Sequence, residues 1–212
     1  MPLPKYLINA YKDWKDNSFS RNKTFFSDLE RYGQDPKAMF ISCCDSRVNI
    51  NNIFKGNEGD FFVHKNIANI VPPYTAENDK YCTSSTLEYA VKSLKISDIF
   101  ILGHSSCGGV KYAYQKFIKD EYDKDNDSIN GWVRYIRPAY NEIEKNLNDE
   151  SSIHILEKQN IINSIKNLSD YPFVKNLLLK NELKIHGLWF EIKSGDLMNY
   201  NLISKKFEKV NY

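Results

Sequence analysis

Hydrophobic and polar residues follow two different periods along the chain, and these predict strands and helices in turn. Short apolar runs bounded by proline, glycine or charged residues are typical of buried strands. The runs that fit are Lys37–Ser42, Asp60–His64, Asp98–Leu102, Leu183–Phe190 and Leu197–Asn201. Apolar residues spaced by three and four predict amphipathic helices instead. They occur in the N-terminal segment and at Lys23–Tyr32, Thr83–Lys95, Gly108–Ile118, Trp132–Leu147 and Ile153–Leu168.

Because the predicted strands alternate with helices, the pattern indicates an α/β fold with a mainly parallel central sheet flanked by helices. We expect about four parallel strands, with an antiparallel edge strand added by a hairpin that turns at Ser194–Asp196. The charged segment Lys119–Asn130 is predicted to be a solvated loop. No linker rich in glycine and serine divides the chain, so residues 1–212 are predicted to form a single domain with a helical arm at residues 1–35.

Composition and charge exclude two classes of partner. The 29 basic residues nearly balance the 27 acidic ones, and a net charge of +2 argues against a nucleic-acid binder that works through a basic patch. No uninterrupted apolar run exceeds four residues, whereas a bilayer span needs about 20. The N-terminal segment also has no apolar signal-peptide centre, so we expect a cytoplasmic protein.

Two polar segments follow predicted strands and carry the residues best suited to chemistry. Residues 43–47 (CCDSR) come after the first strand, and residues 103–109 (GHSSCGG) come after the third. Sites in open α/β sheets form beyond the carboxyl ends of strands, so neighbouring strands would bring Cys43, His104 and Cys107 together. Two thiolates and one imidazole suit zinc and leave a fourth position open. The alternatives are buried structural thiols and, for Asp45 and Arg47, a surface ion pair.

The order and spacing of these motifs resemble the β-class carbonic anhydrases. The similarity extends from about Tyr6 to Phe207, and its centre is the CxDxR motif at residues 43–47 followed by HxxCGG at residues 104–109. The other matching segments are Gln34–Pro36, Gly59–Asn69, Val71–Tyr74, Leu87–Val91 and His186–Phe190.

This resemblance implies the reversible hydration of carbon dioxide to bicarbonate and a proton, through hydroxide on one zinc ion per chain. The zinc ligands would be Cys43, His104 and Cys107, and the catalytic aspartate–arginine dyad would be Asp45 and Arg47. The substrate pocket would be formed by Gln34, Phe62, Ile67, Tyr89 and Gly108.

The resemblance also implies a homodimer or tetramer with active sites at the dimer interface and N-terminal helices packed on the partner subunit. Some family members close the site by moving the dyad aspartate onto zinc, under the control of bicarbonate bound to a Trp, an Arg and a Tyr. Phe40, Lys65 and Phe190 occupy these positions here. Because phenylalanine donates no hydrogen bond, we expect an open site in which Asp45 stays paired to Arg47.

The sequence leaves three alternatives open. Relatives on the same scaffold hydrolyse carbon disulfide or carbonyl sulfide, and the zinc motifs do not separate these substrates from carbon dioxide. A non-catalytic protein with structural zinc would need four protein ligands. A thiol-redox protein would use Cys43 and Cys44 without metal.

Overall fold

A computed structural model describes residues 1–75, 82–120, 127–143 and 149–211. The chain divides into two compact units, Met1–Asp35 and Pro36–Tyr212. Among the described residues, none of the helices combines the length and the apolar character of a bilayer span.

The N-terminal unit consists of two helices joined by a short π-helical segment. Helix α1 covers Lys5–Trp14, the π-helical segment covers Lys15–Phe19, and α2 covers Lys23–Tyr32 as predicted. Aromatic side chains hold the unit together, since the rings of Phe19 and Phe26 lie 5.1 Å apart and that of Trp14 contacts both. Helix α2 ends at Gly33, whose φ of 79° is a conformation that glycine adopts without the cost of a Cβ.

The second unit is built on a six-stranded sheet in the order β2-β1-β3-β4-β5-β6. Strands β1 to β4 are parallel, whereas β5 and β6 are antiparallel to their neighbours. The strands are β1 Ala38–Cys43, β2 Phe61–Asn66, β3 Asp98–His104, β4 Lys184–Phe190, β5 Leu197–Asn201 and β6 Lys206–Lys209. The predicted parallel sheet is therefore confirmed, but β5 is not its edge, because the sequence pattern did not reveal β6.

Helices and short helical turns surround the sheet. The α-helices are α3 Ile50–Phe54, α4 Cys82–Glu88, α5 Gly108–Ile118, α6 Ser128–Val133, α7 Arg137–Glu142, α8 Asp149–Ser169 and α9 Pro172–Leu179. Helix α4 continues as a π-helical segment, Tyr89–Ser93, and 3₁₀ turns cover Ile67–Asn69 and Arg134–Ile136.

Two predicted boundaries in this region were wrong. The predicted loop Lys119–Asn130 is cut short because α6 already begins at Ser128. Residues 121–126 of that prediction lie outside the described residues. The predicted helix Trp132–Leu147 is divided, with α7 as a separate helix that has a proline in its first turn. That proline, Pro138, has no N–H and is favoured at a helix start rather than inside one. Residues 144–147 of this prediction lie outside the described residues.

The core explains why the parallel strands read as continuous apolar runs. Every residue of β1 is buried. Met39 and Ile41 pack into one hydrophobic cluster, while Phe40 packs into another. A strand that is buried on both faces loses the alternation of a half-exposed strand. Strand β1 pairs in parallel with β3, which brings their carboxyl ends to one edge of the sheet.

Candidate metal centre

Three potential metal ligands meet where β1 and β3 end. Cys43 is the last residue of β1, His104 is the last residue of β3, and Cys107 directly precedes α5. The two strands pair in parallel, with Ser42 opposite Leu102. Chain segments that are remote in sequence therefore supply one site, as the strand arrangement predicted.

The spacing of the three ligand atoms suits a tetrahedral metal ion. The sulfurs of Cys43 and Cys107 and a ring nitrogen of His104 all lie within 4.8 Å of one another, and all three residues are buried. The two Sγ atoms are 3.8 Å apart. Two sulfurs bound at about 2.3 Å to a tetrahedral zinc ion are separated by about 3.8 Å. Within the described ranges this is the one group of this kind, and it has three members rather than four.

His104 presents one nitrogen that is free to bind a metal. Its Nδ1 lies 2.9 Å from the carbonyl oxygen of Ser105, and because a carbonyl only accepts, Nδ1 carries the proton. Nε2 is buried and has no hydrogen-bond partner among the described residues. A buried polar atom without a partner is costly, and a metal on the lone pair of Nε2 would remove that cost. A backbone carbonyl on Nδ1 is also the usual means of fixing a ligating imidazole.

The thiols of Cys43 and Cys107 lie within hydrogen-bond distance of each other. The hydrogen bond with the Cys107 thiol is the largest influence that lowers the pKa of Cys43. The backbone N–H of Ala68, 3.4 Å from the Cys43 sulfur, acts in the same direction. The hydrogen bond to Cys43, together with burial, raises the pKa of Cys107. A divalent metal would displace the proton of this hydrogen bond, because both sulfurs bind as thiolates.

Asp45 and Arg47 form a bidentate ion pair beside these potential ligands. Arg47 donates from Nε to Oδ1 of Asp45 at 2.9 Å and from Nη2 to Oδ2 at 2.7 Å. These hydrogen bonds hold the pKa of Asp45 well below its usual range. Arg47 Nη2 also donates to the carbonyl of Ser106 at 3.1 Å, which fastens the pair to the Cys107 loop. Oδ2 of Asp45 lies 3.8 Å from Nε2 of His104, so the carboxylate borders the group of ligand atoms.

Comparison with known proteins agrees with this geometry. The model of the carbonic anhydrase family matches residues 38–197, which include all five residues of the site. The chain belongs to the β-class carbonic anhydrases.

Relatives of this carbonic anhydrase are similar over nearly its whole length. A carbonic anhydrase of Synechocystis sp. is 31% identical over 95% of the chain and 72% of the relative. Beta carbonic anhydrase 3 of Arabidopsis thaliana is 32% identical over 88% of the chain and 72% of the relative. Among solved structures, the β-carbonic anhydrase CcaA superposes with a TM-score of 0.84 at 29% identity, covering 98% of this chain and 92% of that one. The Coccomyxa enzyme in complex with acetazolamide gives 0.76 at 25% identity, covering 91% and 84%.

The five residues predicted to line the substrate pocket are found in four places. Ile67 borders a cavity of about 680 Å³ that is also lined by Cys44 and Trp132. Gly108 stands at the start of α5, where an added Cβ would meet nothing within 4 Å. The rings of Phe62 and Tyr89 lie 6.0 Å apart, and Tyr89 is exposed. Gln34 belongs to the N-terminal unit.

The three positions that depart from the bicarbonate-regulated pattern are engaged in other contacts. Phe40 stacks on Phe100 with ring centroids 4.9 Å apart, and Phe190 packs at the margin of the same cluster. The ammonium of Lys65 donates to the carbonyl of Val48 at 2.7 Å. The two phenylalanines have no hydrogen-bond donor, and one donor of the Lys65 ammonium is engaged with Val48.

The remaining cysteines and histidines have other surroundings. Cys44 and Cys82 are exposed free thiols. His64 Nε2 lies 3.1 Å from the hydroxyl of Thr83, and His186 Nε2 lies 2.9 Å from Oδ1 of Asp98.

Sequence reasoning missed the buried polar residues that support the site. Glu157 is 2% exposed, and its Oε1 accepts the backbone N–H of Cys107 at 2.8 Å. Asn160 is fully buried and donates to the carbonyl of Ala68 at 2.8 Å. The available signal was the spacing of Glu157, Asn160 and Ser164 by three and four residues within an otherwise amphipathic helix, which places them on one face.

Proposed function

We propose that this carbonic anhydrase holds one zinc ion through Cys43, His104 and Cys107 and catalyses the reversible hydration of carbon dioxide to bicarbonate and a proton. The observation that carries the proposal is the buried group of three ligand atoms, in which His104 Nε2 has no hydrogen-bond partner in the described part of the chain. Three protein ligands leave a fourth position for solvent, whereas structural zinc is held by four.

Zinc bound there would supply hydroxide near neutral pH, because it lowers the pKa of a coordinated water. The protein's own contribution begins with Asp45. Its Oδ1 accepts from both the backbone N and Nε of Arg47, whereas Oδ2 accepts from Nη2 alone. Oδ2, on the side of His104, therefore keeps a lone pair for the hydrogen of a solvent molecule beside the ligands.

Arg47 has two tasks in this arrangement. It keeps Asp45 ionised, and an ionised carboxylate can only accept hydrogen bonds. It also fixes the direction of the carboxylate, since its guanidinium is anchored to the Ser106 carbonyl. The solvent hydrogen is thereby held at Oδ2, and the oxygen lone pair is left to attack carbon dioxide.

A small apolar substrate needs an apolar pocket with few polar groups. We propose that Ile67 and Gly108 border it beside the ligand loops, and that Phe62, Tyr89 and Gln34 complete it across a subunit interface. Support comes from the contact between the start of α5 and Ile67, whose Cγ2 lies 2.6 Å from where a Cβ on Gly109 would be. The exposure of Tyr89 leaves its ring available to a partner.

We further propose a homodimer or tetramer in which residues 1–35 serve as an arm of the single domain and pack on the partner. The helices of this segment expose large apolar side chains, including Tyr6, Tyr11 and Trp14. Two β-carbonic anhydrases of Sordaria macrospora, to one of which this chain is 27% identical with a TM-score of 0.73, are tetrameric. A cytoplasmic location fits the need of two thiolate ligands for a reducing compartment.

Stopped-flow carbon dioxide hydration on metal-analysed protein tests this function. The wild type should carry one zinc ion per chain and hydrate carbon dioxide, and Cys107→Ser should lose both properties. Assays with carbon disulfide and carbonyl sulfide should give far lower rates. A zinc-loaded wild type without carbon dioxide hydration would refute the proposal, and preferred hydrolysis of either sulfur compound would reassign the substrate.

A further inference from the structure

Helix α8 carries polar side chains on a face that is buried against two loops, one that contains Cys107 and one that contains Ala68 beside Cys43. These two segments are called the ligand loops below. Glu157, Asn160 and Ser164 are 2%, 0% and 0% exposed. Burying a polar or charged group is costly unless it is hydrogen-bonded. Their contacts therefore indicate what this face of the helix does.

Glu157 binds the backbone of the residue that supplies one sulfur ligand. Its Oε1 accepts the N–H of Cys107 at 2.8 Å, while Oε2 lies 3.3 Å from the indole nitrogen of Trp189 and 3.3 Å from Nδ1 of His154. The preceding residue, Ser106, has a φ of 55°, an uncommon conformation for a residue with a side chain. The carboxylate thus anchors Cys107 directly after a strained turn.

Asn160, one helical turn further on, controls the surroundings of the other sulfur. Its Nδ2 donates to the carbonyl of Ala68 at 2.8 Å, and the N–H of the same residue points to the Cys43 sulfur at 3.4 Å. Ala68 has a φ of 63°, so its backbone also needs external support. Two further hydrogen bonds from the same helix, from Ser164 to Asn69 and from Asn167 to Val71, hold the same loop.

We propose that Glu157 and Asn160 are positioning residues for the two thiolate ligands, Glu157 acting through the backbone of Cys107 and Asn160 through the Ala68 N–H that contacts Cys43. The inference rests on the metal assignment in the proposed function. Because one rigid helix holds both loops, it sets the separation of the two sulfurs before a metal arrives. Groups that orient ligands in this way typically change metal affinity by about 10–100-fold when they are removed.

The chain offers a matched control for Asn160. Asn163 lies on the same helix and makes the same kind of bond, from Nδ2 to a backbone carbonyl at 3.0 Å, but its acceptor is Tyr135. Asn160→Ala and Asn163→Ala therefore delete the same chemical contact, and only the first contact leads to a ligand loop. The readouts are the zinc dissociation constant by chelator competition, the sulfur-to-cobalt charge-transfer band after cobalt substitution, and the Tm of the metal-free protein.

We expect Asn160→Ala to raise the zinc dissociation constant about 10-fold or more and to shift the cobalt band. Asn163→Ala should leave both within about twofold of wild type, even where the metal-free Tm falls equally in the two variants. Equal zinc affinities for the two variants would overturn the role of Asn160.

A second pair of variants tests Glu157 independently. Glu157→Leu removes the acceptor for the Cys107 N–H, whereas Glu157→Gln keeps a carbonyl oxygen there. We expect Leu to weaken zinc binding about 10–100-fold and Gln to restore part of the loss. Wild-type affinity in Glu157→Leu, or equal losses in both variants, would overturn the role of Glu157.

If the wild type itself binds no zinc, the proposed function fails and this inference falls with it. If the wild type binds zinc but the variants are unaffected, only the inference is refuted.

Discussion

Arg47 holds Asp45 by two parallel side-chain hydrogen bonds of 2.9 and 2.7 Å, although only one residue separates them in the sequence. Bidentate pairs of this kind fix the orientation of the carboxylate as well as its ionised state. Asp45 is therefore both kept ionised and kept facing the ligand group, and its substitution should affect catalysis more than folding.

Replacing Asp45 by Asn should lower kcat/KM for carbon dioxide hydration by about 10²-fold. The amide is neutral and has one acceptor oxygen, so it cannot both accept two hydrogen bonds from Arg47 in bidentate geometry and accept the solvent hydrogen. Zinc content, measured on the same preparation, should remain at the wild-type level. Full activity in Asp45→Asn would refute the orienting role.

The pH dependence of kcat/KM should follow the deprotonation of the water that attacks carbon dioxide, and not the ionisation of Asp45. Two thiolates cancel the charge of zinc, so a water at the fourth position should lose its proton less readily than beside neutral imidazoles. We expect kcat/KM to climb through mildly alkaline pH. The lowered pKa of Asp45 means that this carboxylate is already ionised throughout that range. A profile that is flat from about pH 6 to about pH 9 would contradict this reading.

The same ion pair has a predictable effect on stability in acid. Because the pKa of Asp45 is lower in the folded state, the pair stabilises the fold fully above the unfolded value of about 3.9. This contribution is lost as the pH falls through the folded value. Urea unfolding of wild type and Asp45→Asn should therefore differ at neutral pH and converge in strong acid. A difference that grows as the pH falls would have the wrong sign.

Gly109→Ala should disturb the site, whereas Gly131→Ala should not. A Cβ on Gly109 would lie 2.6 Å from Cγ2 of Ile67 and 3.2 Å from Cβ of Ala68, whose N–H contacts the Cys43 sulfur. Overpacking of this kind costs about 1–3 kcal/mol. At Gly131, nothing lies within 4 Å of the added atom. We expect reduced Tm and activity only for Gly109→Ala, and equal behaviour of the two variants would show that the contact does not matter.

The sequence predicted the sheet and the meeting of Cys43, His104 and Cys107 because both depend on local signals. The strands appeared as apolar runs, and the ligands stood in motifs directly after two of them. Strand β6 was missed because Lys206–Lys209 is short, mostly charged and largely exposed, and it forms only by pairing with β5.

The supporting residues could not be predicted because their partners are far away in the chain. Glu157 contacts Cys107 and Asn160 contacts Ala68, at separations of 50 and 92 positions. In the sequence these polar residues look like the solvated face of a helix. Only tertiary packing turns them towards the backbone of the ligand loops.

X-ray absorption at the zinc edge measures the ligands of the metal directly. We predict two sulfur ligands at about 2.3 Å and two nitrogen or oxygen ligands at about 2.0–2.1 Å, one from His104 and one from solvent. A shell with three or more sulfurs, or purified protein that contains no zinc, would contradict it.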